Sequence, residues 1–205
     1  MKGSRIVAEL TERSITSGNF VFTPTSIEGV MAVDVKTYGD RRGYFMETYR
    51  RDNFAAAGID AEFVQDNQSS SSQGVLRGLH FQIAHPQAKL VRVIRGTVFD
   101  VAVDLRIGSP TWGKWEGTVL SEENHRQFFV PRGFAHGFLV LSDEAEFCYK
   151  CDDTYHPGDE GGVMWNDPEI GIVWPAFLGE KNFDPARVIL SDKDKVHPPL
   201  SALKN

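Results

Sequence analysis

Short runs of alternating apolar and polar residues recur along the chain, each closed off by Gly, Pro, Asn or Asp, and this period-two pattern predicts strands. The runs cover residues 29–35, 75–82, 89–94, 97–105, 112–120, 127–130, 138–141 and 145–150. The alternation is cleanest over residues 89–106, where Arg95-Gly96 separates two strand-like runs and predicts a hairpin turn. In the second of these runs Phe99, Val101, Val103 and Leu105 fall on one side, and Asp100, Ala102 and Asp104 on the other. Helical spacing is confined to residues 51–57 and the segment after Phe177. Strands at this density predict an all-β fold, a closed barrel or jelly roll that hides its sheet edges, with a few short helices. Residues 1–20 read as an N-terminal arm that packs on a partner or stays mobile, and residues 21–205 as a single domain.

Composition narrows the function classes. A chain of 205 residues with 41% hydrophobic and 24% charged residues has the balance of an ordinary globular protein with a sizeable core. A net charge of −6 argues against broad nucleic-acid binding, although a few Arg or Lys can still build a phosphate pocket. No apolar run approaches the roughly 18–20 residues of a membrane span, and the N-terminus lacks a secretory apolar core. The two cysteines form a single Cys148-x-x-Cys151, too few ligands for a zinc site, and read as reduced thiols of a cytoplasmic protein.

Candidate chemistry gathers in a few clusters. In Gly74-Val75-Leu76-Arg77-Gly78-Leu79-His80-Phe81-Gln82, a regular strand would place Arg77 and His80 on opposite faces. A bulge at Gly78 would bring both to one side. Taken alone, His80 reads as a structural histidine and Arg77 as a surface charge. The second cluster, Pro131-Arg132-Gly133-Phe134-Ala135-His136-Gly137-Phe138, places His136 just after a sharp turn. Three more clusters have ordinary readings as a polar turn, a strand end and an Asx turn before proline: Gln65-Asp66-Asn67-Gln68-Ser69, residues 149–157, and Trp165-Asn166-Asp167-Pro168.

The spacing of Gly74 to His80, and the Pro-x-Gly-x-x-His of residues 131–136, resemble the two motifs of the cupin superfamily. Metal-binding cupins carry His-x-His and then an acidic ligand. This chain has His80-x-Gln82 and Gln87, and Gln is a poor partner for metals that imidazole and carboxylate sites hold, so a metal-free cupin jelly-roll barrel is expected. Joined in order, Gly43–Glu47, Val64–Asn67, Val75–Gln82, Lys89–Arg92, Phe99–Asp104, Pro131–Phe138 and Trp165–Pro168 resemble the dTDP-4-dehydrorhamnose 3,5-epimerases over about residues 26–195.

That resemblance implies an isomerase without a cofactor, inverting C3 and C5 of dTDP-4-dehydro-6-deoxy-D-glucose beside its C4 ketone. It assigns His80 as base, Asp167 as the carboxylate that orients His80, Lys89 as the cation near the enolate oxygen and Tyr149 as the acid. His136 becomes a sugar contact. Arg42, Glu47, Gln65, Asp66, Asn67, Arg77, Tyr155, Glu160 and Lys193 are assigned to the nucleotide. Either the sugar turns within the pocket or both reacting faces reach the same residues. Family members are homodimers that share an N-terminal strand, in which Arg42 and Glu47 could serve the neighbouring site. The competing readings are a single-carbon epimerase or ketoisomerase on a related nucleotide-4-keto sugar, a metal-dependent cupin enzyme, and a non-catalytic sugar-nucleotide binder.

Overall fold

In the computed structural model, which describes residues 13–203, the strands all pair antiparallel with their named neighbours. In chain order they are β1 (Ile15–Ser17), β2 (Phe20–Pro24), β3 (Met31–Val35), β4 (Thr37–Asp40), β5 (Gly43–Met46), β6 (Gln65–Ser72) and β7 (Leu76–Gln82). There follow β8 (Lys89–Arg95), β9 (Thr97–Asp104), β10 (Trp115–Ser121), β11 (Gln127–Val130), β12 (Phe134–Val140), β13 (Glu144–Cys151) and β14 (Glu160–Gly162). One sheet runs β1-β2-β3-β11-β8-β13-β6 and the other β10-β9-β12-β7-β14, while β4 and β5 form a ribbon of their own. The two large sheets face each other as a jelly roll.

Three apolar layers hold the sheets. Between them lie Val91 and Val93 of β8, Phe128 of β11, Phe147 of β13, Ala102 of β9 and Phe138 of β12. The outer face of the five-stranded sheet, with Leu79, Val101, Val103 and Leu139, is covered by Ile170, Trp174, Phe177 and Leu200 from the C-terminal segment. The outer face of the seven-stranded sheet, with Phe20, Phe22, Val33 and Leu90, is covered by Phe54 and Ala57, on and just after the one α-helix among the described residues, α1 (Arg51–Ala56). Strand β9 is therefore buried on both faces, and its alternation separates two cores rather than core from solvent.

The structure corrects two expectations and describes part of the segment expected as an arm. Arg95-Gly96 does not close a hairpin: β8 and β9 lie in different sheets, and the chain turns a corner between them. Side chains replace the missing ladder there, with Glu122 Oε1 accepting from Gly96 N at 3.0 Å and Ser142 Oγ from Thr97 N at 2.8 Å. After Phe177 no α-helix forms among the described residues; the segment holds three short 3-10 turns, Pro185–Arg187, Asp194–Val196 and Leu200–Leu203, the first capped by the Asp184 side chain. Of the expected N-terminal arm, residues 13–20 lie against this chain's own sheet, where Phe20 meets Phe54 at a ring separation of 5.1 Å. Residues 1–12 are outside the described residues.

Candidate active site

The site is built where β7 crosses β12. His80 pairs with His136 and Arg77 with Phe138, so three steps along β7 match two along β12 and the register shifts. The extra residue changes the parity of β7, and Arg77 and His80 line the same cavity. Gly78 makes this possible: its φ is +122°, and a Cβ there would stand 2.7 Å from the Gly137 Cα.

That cavity, of about 500 Å³, is lined by Arg77, His80, Lys89, His136, Tyr149 and Asp194, among others. A second space of about 280 Å³ shares His80, Lys89 and Tyr149 with it and adds Gln65, Asn67, Tyr155 and Glu160. The polar wall comes from β6, where Gln65, Asn67 and Ser69 point inward. Alternation sends Asp66 the other way, onto the exposed face, where it pairs with Lys150 at 2.8 Å. Asp66 therefore leaves the set of inward-facing candidates.

Two imidazole–carboxylate pairs stand in the barrel. His80 Nε2 meets Asp194 Oδ1 at 2.6 Å, and His136 Nε2 meets both Asp100 oxygens at 3.0 Å. Burial raises Asp194, but hydrogen bonds and charge from His80, with Ser191 and the Gly78 N–H, outweigh it and hold the carboxyl below its usual range. An ionised carboxylate only accepts, so His80 Nε2 carries a proton and Nδ1 keeps the free lone pair. Burial pushes Asp100 up against the pull of His136 and Lys89.

Asp194 takes the place expected of Asp167. Asp167 is buried under the C-terminal segment, where its oxygens accept from the backbone N–H groups of Glu169 at 2.7 Å, Ile170 at 3.2 Å and Leu200 at 2.8 Å. It is an Asx-type clamp for the turn that follows it, with no contact to His80.

The other cavity groups carry environments suited to a polar ligand. Burial lowers Lys89, opposed by Cys151, Asp100 and Glu160. Burial raises Tyr149, which stays a neutral phenol. Glu160 pairs with Lys193 and accepts from the Tyr155 hydroxyl, and these contacts overcome burial to keep it below the usual carboxylate range. Arg77 donates to Ser71 Oγ at 3.1 Å.

Arg42 and Glu47 are not brought to this cavity. Arg42 lies at the turn of the β4–β5 ribbon, bonded to Asp40, and Glu47 accepts from Asn19 at 3.2 Å. The amides of Gln82 and Gln87 are spent on backbone carbonyls, those of His85 and Asp153, at 2.8 Å each. One His/Asp group among the described residues gathers three potential ligand atoms, from His80, Asp194 and His197. At 2.6 Å, the His80–Asp194 contact has the length of a hydrogen bond and leaves no space for a cation between them.

Asp194, Asp100 and His197 stand at the site without having been among the candidates the sequence offered. Asp100 was accessible, because a carboxylate on a strand buried on both faces needs a partner. Asp194 sits in a 3-10 turn, Asp194–Val196, with no periodicity to mark it. Cys148 and Cys151 are both free thiols.

Two facing antiparallel sheets around an interior polar pocket with histidine–carboxylate pairs define a cupin-type barrel. A family model described as dTDP-4-dehydrorhamnose 3,5-epimerase matches residues 24–202, and the chain belongs to that family. It is 52% identical to a dTDP-4-dehydrorhamnose 3,5-epimerase of Methanothermobacter thermautotrophicus, over 88% of this chain and 95% of that protein. It is 47% identical to a dTDP-4-dehydrorhamnose 3-epimerase of Streptomyces niveus, over 74% of each. A crystal structure of a dTDP-6-deoxy-D-glucose-3,5-epimerase from Legionella pneumophila, in complex with dTDP-4-keto-L-rhamnose, superposes with a TM-score of 0.81 at 49% identity, covering 88% of this chain and 92% of that one.

Proposed function

We propose that this chain is an isomerase that inverts C3 and C5 of dTDP-4-dehydro-6-deoxy-D-glucose, giving dTDP-4-dehydro-L-rhamnose. The observation that carries the reading is that His80, Lys89 and Tyr149 open onto one cavity. His80 Nδ1 takes the proton from the carbon beside the ketone. The electron pair of that C–H bond moves into the C4 carbonyl, and Lys89 stabilises the enolate oxygen. Tyr149 then gives its phenolic proton to the carbon from the other side, and exchange with solvent restores both side chains. Repeating the sequence at the second carbon completes the reaction without net proton change. Asp194 holds the His80 ring and favours its protonated form as the proton arrives.

Gln65, Asn67, Arg77, His136, Tyr155, Glu160 and Lys193 bind the sugar and nucleotide, with Arg77 a natural partner for the pyrophosphate. We assign Arg42 and Glu47 to the neighbouring subunit's site in a homodimer. Support comes from the β4–β5 ribbon, which pairs with neither large sheet and exposes Tyr44 and Phe45 by 58% and 69%. Residues 21–205 act as one domain in this reading, residues 1–20 as the arm, and the two free thiols suit a cytoplasmic setting.

The Streptomyces niveus relative supports a second reading, inversion at C3 alone. Hydrogen exchange in deuterated water, followed by NMR on the keto sugar, separates the two: label at both C3 and C5 is expected, and label at C3 only selects the second. His80→Ala should abolish exchange at both positions. Tyr149→Phe should slow inversion while exchange persists; if the two fall together, Tyr149 is not the acid.

A further inference from the structure

The Asp194 oxygen that meets His80 also meets a second imidazole. His197 Nε2 lies 3.2 Å from Asp194 Oδ1, and the His80 and His197 rings stand edge to face with centroids 5.4 Å apart. Asp194 accepts from both, so His197 presents Nε2–H to it, as His80 does. The ring is nearly closed off from solvent, with its side chain 9% exposed. Its place is made by Gly162 at the end of β14: a Cβ there would stand 2.2 Å from His197 Cε1 and 2.5 Å from Nε2. Gly162 itself pairs with His80 across the sheet. An imidazole buried against a carboxylate, in a recess that only a glycine leaves open, is more than packing requires.

We propose that His197 is a positioning residue for the His80–Asp194 pair, fixing the shared carboxylate oxygen on the His80 ring and taking a share of the charge that this oxygen offers to His80. The proposal rests on His80 being the base. Beside Ser191 and the Gly78 N–H, which also bond this carboxylate, His197 disperses charge on Asp194 Oδ1, so that less of it favours the imidazolium of His80. Burial lowers His197 against the pull of Asp194, and repulsion from His80 whenever that ring is protonated adds to this, so His197 serves as a neutral donor. The other groups facing the pair are the Glu160–Lys193 ion pair, Lys89, Arg77, Tyr149 and the His136–Asp100 pair, and none of these side chains makes a hydrogen bond to Asp194.

Removing the donor has a definite sign. Exchange requires neutral His80, so its rate falls as pH drops through the His80 pKa, and loss of His197 raises that pKa. In His197→Phe, which keeps an aromatic ring in the recess, the acidic limb of the exchange-rate profile should move to higher pH by about half a unit, the scale of one hydrogen bond. His197→Gln, which restores a neutral N–H donor, should bring the limb back toward its original place. Gly162→Ala should reproduce the His197→Phe shift without changing either partner, because it drives the ring out of its recess.

The profile is measured on full-length protein, with the His80 ring titrated by NMR in parallel and folding checked by circular dichroism. A limb and a His80 titration that stay put in folded His197→Phe overturn the proposal. Should His197→Phe fail to fold, Gly162→Ala decides by the same criterion. Wild-type exchange in His80→Ala would instead overturn the underlying assignment of the base. The two failures are thus distinct.

Discussion

At Asp194 the carboxylate faces two imidazoles, whereas at Asp167 the acceptors are taken by backbone N–H groups. The two positions should respond oppositely to substitution. Asp194→Asn should cut turnover by about 10²-fold or more with little change in melting temperature, since it removes the charge that supports His80. Asp167→Ala strands three N–H groups and should cost about 2–4 kcal/mol of stability in chemical denaturation, while the folded fraction keeps its turnover. Reversal of these phenotypes would return the catalytic role to Asp167. Asp104 is a third kind of carboxylate: burial raises it, but Arg106, Ser109 and Thr111 outweigh that and depress it strongly. That His80, Lys89, Arg77 and Tyr149 gather at one cavity was legible in the sequence because motif order carries them. Asp194 was not, because a carboxylate in an irregular segment leaves no spacing to read and Trp165-Asn166-Asp167-Pro168 offered a nearer acid.

The elements show which sequence signals carry fold and which do not. Strands with an apolar face, such as β8, β9 and β11, were read close to their bounds. Strand β6, Gln-Asp-Asn-Gln followed by four serines, was not read as a strand, because its inward face meets the cavity and carries amides and hydroxyls instead of apolar groups. Gly96 marked a reversal correctly and its sheet wrongly, since a turn signal is local and sheet membership is not. Gly78 was read as a bulge from its position between Arg77 and His80, and the register shift lies there. Gly78→Ala should cost about 2 kcal/mol or more, because the added Cβ meets β12 and the positive φ disfavours it. Exchange activity should fall with it even in the folded fraction, as Arg77 and His80 lose their common side. Normal exchange in a folded Gly78→Ala protein would show that the bulge does not align them.

For the molecule as a whole, Asp104, Asp194 and Glu160 are held below their ordinary range, while Asp100 is raised by burial and works in the opposite sense. A depressed carboxyl contributes stability that is complete above its unfolded pKa near 4 and is lost as pH falls through its folded value. The melting temperature should therefore be level from about pH 7 to 5 and decline below about pH 4, as scanning calorimetry can check. The ribbon makes a separate prediction: Phe45→Asp should shift the protein toward monomer in sedimentation and lower turnover together. Loss of turnover with an unchanged sedimentation coefficient would detach the two. The hydrophilic inner face of β6 has one more consequence. A ligand entering along it trades contacts with water for contacts with amides and hydroxyls and covers little apolar surface there. Titration calorimetry of the nucleotide sugar should then record heat released on binding with only a small negative heat-capacity change, the signature of a wall that recognises by polarity instead of by exclusion.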